Sequence, residues 1–280
     1  MFLNNTLNEF IKMTAKPRSY LGLAAITVLV CVILFAMKAD GSSLLSFMTS
    51  SFEQTLSFQG NMLNGNLVAF VVLQMLIIHI PLLIALVTGD LISGEAAMGT
   101  MRMLAAKPIS RTQIILSKFF AGSIYTLVIL IWLSFLSLVV GRLLFGTGDL
   151  IVLNSDGLVI LQRLDVTWRF LSGFGVAYLA LLTVASLSIT LSCFSDNSIG
   201  PIVATMAIII LFTIIDTLDV QVFDTVKPYL FTTHMVAWRS FFENPLPAND
   251  IIRSVVILSA HIIVLLGISV YQFNKKDILS

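Results

Sequence analysis

The chain has 280 residues, of which 58% are hydrophobic and 11% charged, with a net charge of +1 and a mean hydropathy of +0.99. Soluble domains carry roughly 25% charged residues, so these values exclude a soluble globular protein. An integral membrane chain remains, and no nucleic-acid partner is expected.

Six apolar runs, residues 20–37, 67–87, 119–140, 170–194, 199–215 and 254–273, are each long enough as helix to cross a hydrocarbon core of roughly 30 Å. The expected fold is an all-α membrane protein: six transmembrane helices in a single transmembrane domain over residues 1–280. The 16 Lys and Arg and the 15 Asp and Glu lie outside these runs, which suits a cost of about 2.5 to 3.5 kcal/mol for a charge at a helix centre.

Ahead of the first run, in residues 1–18, Leu3, Leu7, Phe10, Ile11 and Thr14 recur at helical spacing, opposite Asn4, Asn5, Asn8, Glu9 and Lys12. Pro17 disfavours helix at Lys16, so this segment is expected to be an interfacial helix on the inner leaflet. The first run is too long for a signal core, and no cleavable leader is expected. Cys31 and Cys193 fall on opposite halves of the bilayer and read as packing residues.

The second run contains Gln74, His79 and Pro81, and Pro81 should kink it. With His261 in the last run, Gln74 and His79 are candidates for cavity-lining or packed polar groups, since isolated polar groups in lipid are costly. No Cys, Asp or Glu shares their depth, so no metal site is expected.

Residues 88–118 form a long polar stretch. Asp90, Ser93 and Glu95 are candidate caps for a helix over residues 91–106, with an apolar stripe of Ala97, Met98, Met101, Leu104 and Ala105. Arg102, Lys107 and Arg111 give it a basic margin. Lys107-Pro108 breaks this helix, and Ser110 caps a second that enters the third run through Lys118.

Beyond the third run, Asn154-Ser155-Asp156-Gly157 between β-branched stretches signals a hairpin, with a short amphipathic helix as the alternative. The four residues 195–198 fix the fourth and fifth spans as antiparallel neighbours, with Asp196 or Ser198 capping the fifth. Residues 216–253 hold Phe223, Tyr229, Phe231, Trp238, Phe241 and Phe242, broken by Pro228, Pro245 and Pro247. They read as re-entrant-like helices or as interfacial anchors.

Nine of the 16 Lys and Arg fall on the side made by residues 1–19, 88–118, 195–198 and 274–280, the side with fewer residues. That side is expected to be cytoplasmic, with both termini inside.

The segment Asp90-LISGEAAMG-Thr100, followed by Pro108-ISRTQIILSK-Phe119, resembles the ABC transporter type-2 permease family in its acidic-Gly-Glu turn, Gly-Thr, Pro-x-Ser-Arg and Lys. The tail Tyr271-QFNKKDIL-Ser280 is also of the family's kind, while Ala96-Ala97-Met98 stands where the family often has charges. The resemblance implies a permease subunit of an ATP-driven exporter in the cytoplasmic membrane, joined by a second permease copy or paralogue and by ABC ATP-binding subunits. It implies that residues 88–118 are the cytoplasmic coupling region. Asp90, Glu95, Gly99, Thr100, Arg102, Pro108, Arg111, Lys118 and Asp196 would couple it to the ATPase, whose motion pushes the helix of residues 91–106. ATP and Mg would be bound by the partner, and no cofactor or catalytic residue is expected in this chain.

Two features of the residues agree with an external motor. The sequence has no G-x-x-x-x-G-K-[ST] phosphate loop, and its apolar runs hold no carboxylate or Lys for an ion relay. The alternatives are a proton-gradient-driven carrier using His79 and His261 and a membrane-embedded enzyme. Ser172, Ser186 and His234 assemble no acid, base and oxyanion set for the latter.

Overall fold

The computed structural model describes residues 2–49, 63–76, 79–101, 109–154 and 157–276. In chain order its helices are α1 (Phe2–Thr14), α2 (Pro17–Thr49), α3 (Gly65–Leu76), α4 (His79–Thr88), α5 (Asp90–Ala97), α6 (Arg111–Ser134), α7 (Gly141–Phe145), α8 (Arg163–Cys193), α9 (Ile199–Thr217), α10 (Phe231–Met235) and α11 (Ala248–Lys275). A π-helical turn at Phe135–Val140 joins α6 to α7, and strands β1 (Leu150–Asn154) and β2 (Gly157–Leu161) pair antiparallel. Six helical stretches among the described residues are long and apolar enough to span a membrane, so the all-α, six-span architecture holds, and the two paired strands on either side of residues 155–156 agree with the hairpin reading.

α8 is the central pillar, packed against α4, α5, α6, α9 and α11. Its C-terminal half is lined by small hydroxyl residues that are fully or nearly fully buried, among them Ser186, Ser188, Thr190 and Ser192. Such residues let helices approach closely in lipid and bond across the gap. Thr190 Oγ1 meets Ser269 Oγ of α11 at 2.9 Å and donates to Leu265 O at 3.1 Å.

Several expectations need correction. The second apolar run is helical on both sides of residues 77–78, and the chain stays helical past Val87 through α5, so Asp90 and Glu95 lie in an extension of that span. Pro81 lies in α4, and the kink expected there falls on the turn that includes residues 77–78. Residues 77–78, between α3 and α4, lie outside the described set.

Asp90 and Ser93 are not N-caps. α5 follows Gly89 with no side-chain cap, and the Ser93 hydroxyl donates to Gly89 O at 2.8 Å. Ser110 does cap α6, accepting from the Gln113 amide. At α9 neither Asp196 nor Ser198 caps; Asn197 Oδ1 accepts from the Ile199 amide at 3.0 Å.

The single helix expected over residues 91–106 ends at Ala97. Gly99 takes φ +69°, the left-handed region where a glycine has no Cβ to clash. Its amide donates to Ala96 O and the Thr100 amide to Glu95 O, both at 3.0 Å. That pair of bonds is a Schellman stop. Of the expected apolar stripe, Met98 is exposed and Met101 buried, while Leu104 and Ala105 lie outside the described residues.

The aromatic segment within residues 216–253 is part of the core. Phe231, Trp238, Phe241 and Phe242 are buried, and Phe242 packs edge-on against Phe170 and Phe70 with ring centroids 4.8 and 5.2 Å apart. Phe223 and Tyr229 remain outside this cluster. Arg169 of α8 holds the segment: its guanidinium donates to Phe241 O at 2.7 Å, Glu243 O at 2.9 Å and Asp165 Oδ2 at 2.7 Å. Charge-assisted bonds of this kind are individually strong, so Arg169→Met is expected to cost about 2 to 3 kcal/mol. A thermal scan should show the lowered stability, and limited proteolysis should show residues 237–250 newly open to cleavage.

Candidate functional site: the inner charge network

At the end of the bundle where α1, α5 and the start of α6 meet, four side chains from three helices close a ring of alternating charge. Glu9 of α1 meets Lys12 at 2.6 Å and Lys118 of α6 at 2.7 Å. Glu95 of α5 meets Lys118 at 2.7 Å and Lys12 at 3.3 Å. Lys118 is 1% exposed, and a buried ammonium persists only with close anionic partners.

Burial pushes the Glu9 carboxyl up, but Lys118 and Lys12 outweigh it and hold the group below its ordinary range. For Lys12, burial works downward, and the bonds to Glu9 and Glu95 leave it raised. A depressed carboxylate contributes stability that is present above its unfolded pKa and lost as pH falls through the folded one. A raised ammonium contributes below its unfolded pKa and loses it as pH rises. The docking of α1 is therefore expected to be insensitive to pH from about 5 to 10 and to fail in acid below the ordinary carboxylate range. Protease protection of residues 2–14 across a pH series checks this.

A second brace lies beside the ring. Asp90 is buried, with Lys16 on Oδ2 at 2.7 Å and Arg18 on Oδ1 at 2.6 Å. Gly94 makes room for it, since a Cβ at that position would overlap the Asp90 carboxylate. A third brace ties the far end of the chain. Arg111 Nη1 donates to the carbonyls of Phe273, Asn274 and Lys276 at 3.1, 2.9 and 2.9 Å. Lys276 Nζ in turn meets Asp196 at 2.6 Å. The C-terminal carbonyls of α11 thus gain the cation that a helix end favours.

Of the residues singled out in the sequence, Glu95 and Lys118 meet directly and Asp90 lies one α5 turn away, while Arg111 and Asp196 form the separate tail brace. Glu9, Glu95 and Lys118 are internal struts, while Lys12 is half-exposed at the edge of the ring. What α5 presents outward is its end: Ala97, Met98 and Gly99 are exposed, Met98 at 60%. Beside it, a cavity of about 440 Å³ is lined by Lys12, Lys16, Glu95, Met98 and Thr100 among others. Arg102 and Pro108 lie outside the described residues.

The cavity-lining candidates are dispersed. Gln74 and His79 are exposed, and His79 Nδ1 bonds Met75 O at 3.2 Å. His261 Nδ1 bonds Ile257 O at 2.9 Å and its ring meets Phe231 edge-on. None of the three lines the apolar cavity between α3, α6 and α8, which is walled by Leu73, Leu130, Phe170, Trp238 and Phe242.

Sequence reasoning missed Glu9, Lys12, Lys16 and Arg18. A signal was available: Glu9 is the one carboxylate in the first 39 residues, and it shares a helical face with Met13 and Thr6, both buried. Leu3, Leu7 and Ile11 face outward instead, as expected of an interfacial helix.

A family model described as ABC-2 family transporter protein matches residues 8–278, nearly the whole chain. Among curated proteins, the uncharacterized protein YhcI of Bacillus subtilis (strain 168) is 24% identical over 200 residues, covering 69% of this chain and 63% of that protein. The match therefore spans less than two thirds of the relative's length.

Proposed function

Since this chain belongs to the ABC-2 family of transporter proteins, multi-pass membrane subunits that in general work with an ABC ATP-binding subunit, we propose that it is the permease half of an ATP-driven exporter. The observation that carries the reading is the inner charge network. It fastens α5 to α1 and α6 through Glu95, Glu9 and Lys118 while leaving the end of α5 bare at Ala97, Met98 and Gly99. A braced strut with an exposed tip is suited to receive a push and pass it to several helices together.

In this reading the inner end, with both termini, faces the cytoplasm. Met98 and its neighbours meet an ATP-binding subunit that holds the ATP and Mg. A second permease, identical or paralogous, completes the membrane unit. Glu95, Asp90 and Lys118 act by keeping the tip in place, and Arg111 and Asp196 by holding α11 and the α8–α9 turn against α6. The carrier alternative draws no support from His79 and His261, each of which bonds a carbonyl of the preceding turn and not a relay partner.

Affinity purification of the tagged chain from its own membranes in mild detergent tests the reading. The expected result is a copurifying nucleotide-binding polypeptide and Mg-dependent ATP hydrolysis by the complex, with none by the isolated chain. Recovery of the chain without any ATP-hydrolysing partner across several detergents and lipid nanodiscs would count against it.

A further inference from the structure

α4 and α5 are nearly one helix, and the break between them is made by a side chain from another span. In an unbroken helix the Ser93 amide donates to the Gly89 carbonyl four residues back. Here it donates to Ser192 Oγ of α8 at 2.8 Å, and the Ser192 hydroxyl donates in turn to Gly89 O at 2.7 Å. Ser93 and Ser192 are both fully buried. One turn away, Ser188 Oγ donates to Ala85 O at 3.3 Å. Gly89 permits this approach, since a Cβ there would stand 2.8 Å from both Ala85 O and Ser188 Oγ.

A side chain inserted into the i→i−4 ladder is an identifiable cause of a helix bend. The inserted hydroxyl satisfies both groups it separates, so the opened joint leaves no orphan in a buried site. The other arrangement is equally complete. With Ser93 N–H on Gly89 O, α4 and α5 run on as one helix, and Ser192 bonds back to the Ser188 carbonyl of its own helix.

We propose that Ser192 is a positioning residue that holds the α4–α5 joint open, making Gly89 a two-state hinge between the braced α5 and the spanning α4. The proposal rests on the permease reading for its purpose. A push on the Met98 tip reaches α4 along the chain only through Gly89, so the state of this joint sets how much of the push enters the membrane. Packed elements with two discrete arrangements are the kind that carry such coupling.

The test uses the complex with its copurifying ATP-binding subunit in lipid nanodiscs, Cys31 and Cys193 replaced by alanine, and spin labels at Leu82→Cys and Ile11→Cys. Both label sites are exposed, one on α4 and one on α1, which the ring ties to α5. The parent is expected to show two distance populations whose ratio changes when Mg-ATP and vanadate are added. Ser192→Ala should shift the balance toward the continuous-helix population by roughly tenfold, the worth of about one net buried hydrogen bond, and should blunt the nucleotide response. Ser192→Thr, which keeps the hydroxyl, should retain both populations. A parent-like distribution in Ser192→Ala, at unchanged thermal stability, overturns the hinge. If the parent ignores nucleotide while Ser192→Ala still straightens the joint, the hinge stands and the ATP-driven reading falls.

Discussion

Replacing Lys118 by Met is expected to remove about 3 to 5 kcal/mol of stability, the range seen when one partner of a buried ion pair is deleted. The ammonium is the joint between Glu9 and Glu95 at 2.7 Å each and is 1% exposed. Without it, two buried carboxylates face each other with only the half-exposed Lys12 between them, and α1 and α5 are pushed apart. The same reasoning predicts a rescue. Lys118→Met combined with Glu9→Gln and Glu95→Gln removes the uncompensated charge and should regain most of the loss, because an ion pair replaced whole by neutral groups is often near neutral in stability. Thermal scans followed by Trp fluorescence check both. A triple variant no better than the single would show that the ring contributes shape and not charge balance.

Met98→Asp is expected to do the reverse: little to stability, much to assembly. The side chain is 60% exposed at the end of α5 and belongs to none of the braces, so the change should stay within about 0.5 kcal/mol of the parent. A buried carboxylate at the centre of a docking contact costs on the scale of a hot spot, about 2 kcal/mol or more, which is roughly thirtyfold in affinity. Titrating the purified ATP-binding subunit onto the reconstituted chain would measure it. Glu95→Gln offers the contrast, since it should lower stability first and assembly only as a consequence.

The spans were legible because hydropathy in lipid is a one-dimensional signal: long apolar runs must become helix when no water can satisfy their backbone. The hairpin and the Ser110 cap were legible for a similar reason, as each is a local pattern. The stop at Gly99 was local too, but the apolar residues Met101 and Leu104 continued the helical period past it, and the glycine's left-handed preference won. The ring was not legible, because its members come from residues 9, 12, 95 and 118. The motif drew attention to Glu95 and Lys118 without saying that they point at each other and at α1. Burial decides that question, and burial is tertiary. Asp196 illustrates the same limit: read as a cap for the helix beside it, it is taken by Lys276, eighty residues away.

The most direct measurement is photo-cross-linking from position 98, using a Met98→Cys variant with Cys31 and Cys193 removed and a thiol-reactive benzophenone in native membranes. The account predicts a covalent adduct with a nucleotide-binding polypeptide, and protection of the introduced thiol from membrane-impermeant reagents applied to intact cells. Labelling of that thiol from outside the cell, or adducts with lipid alone, would contradict it.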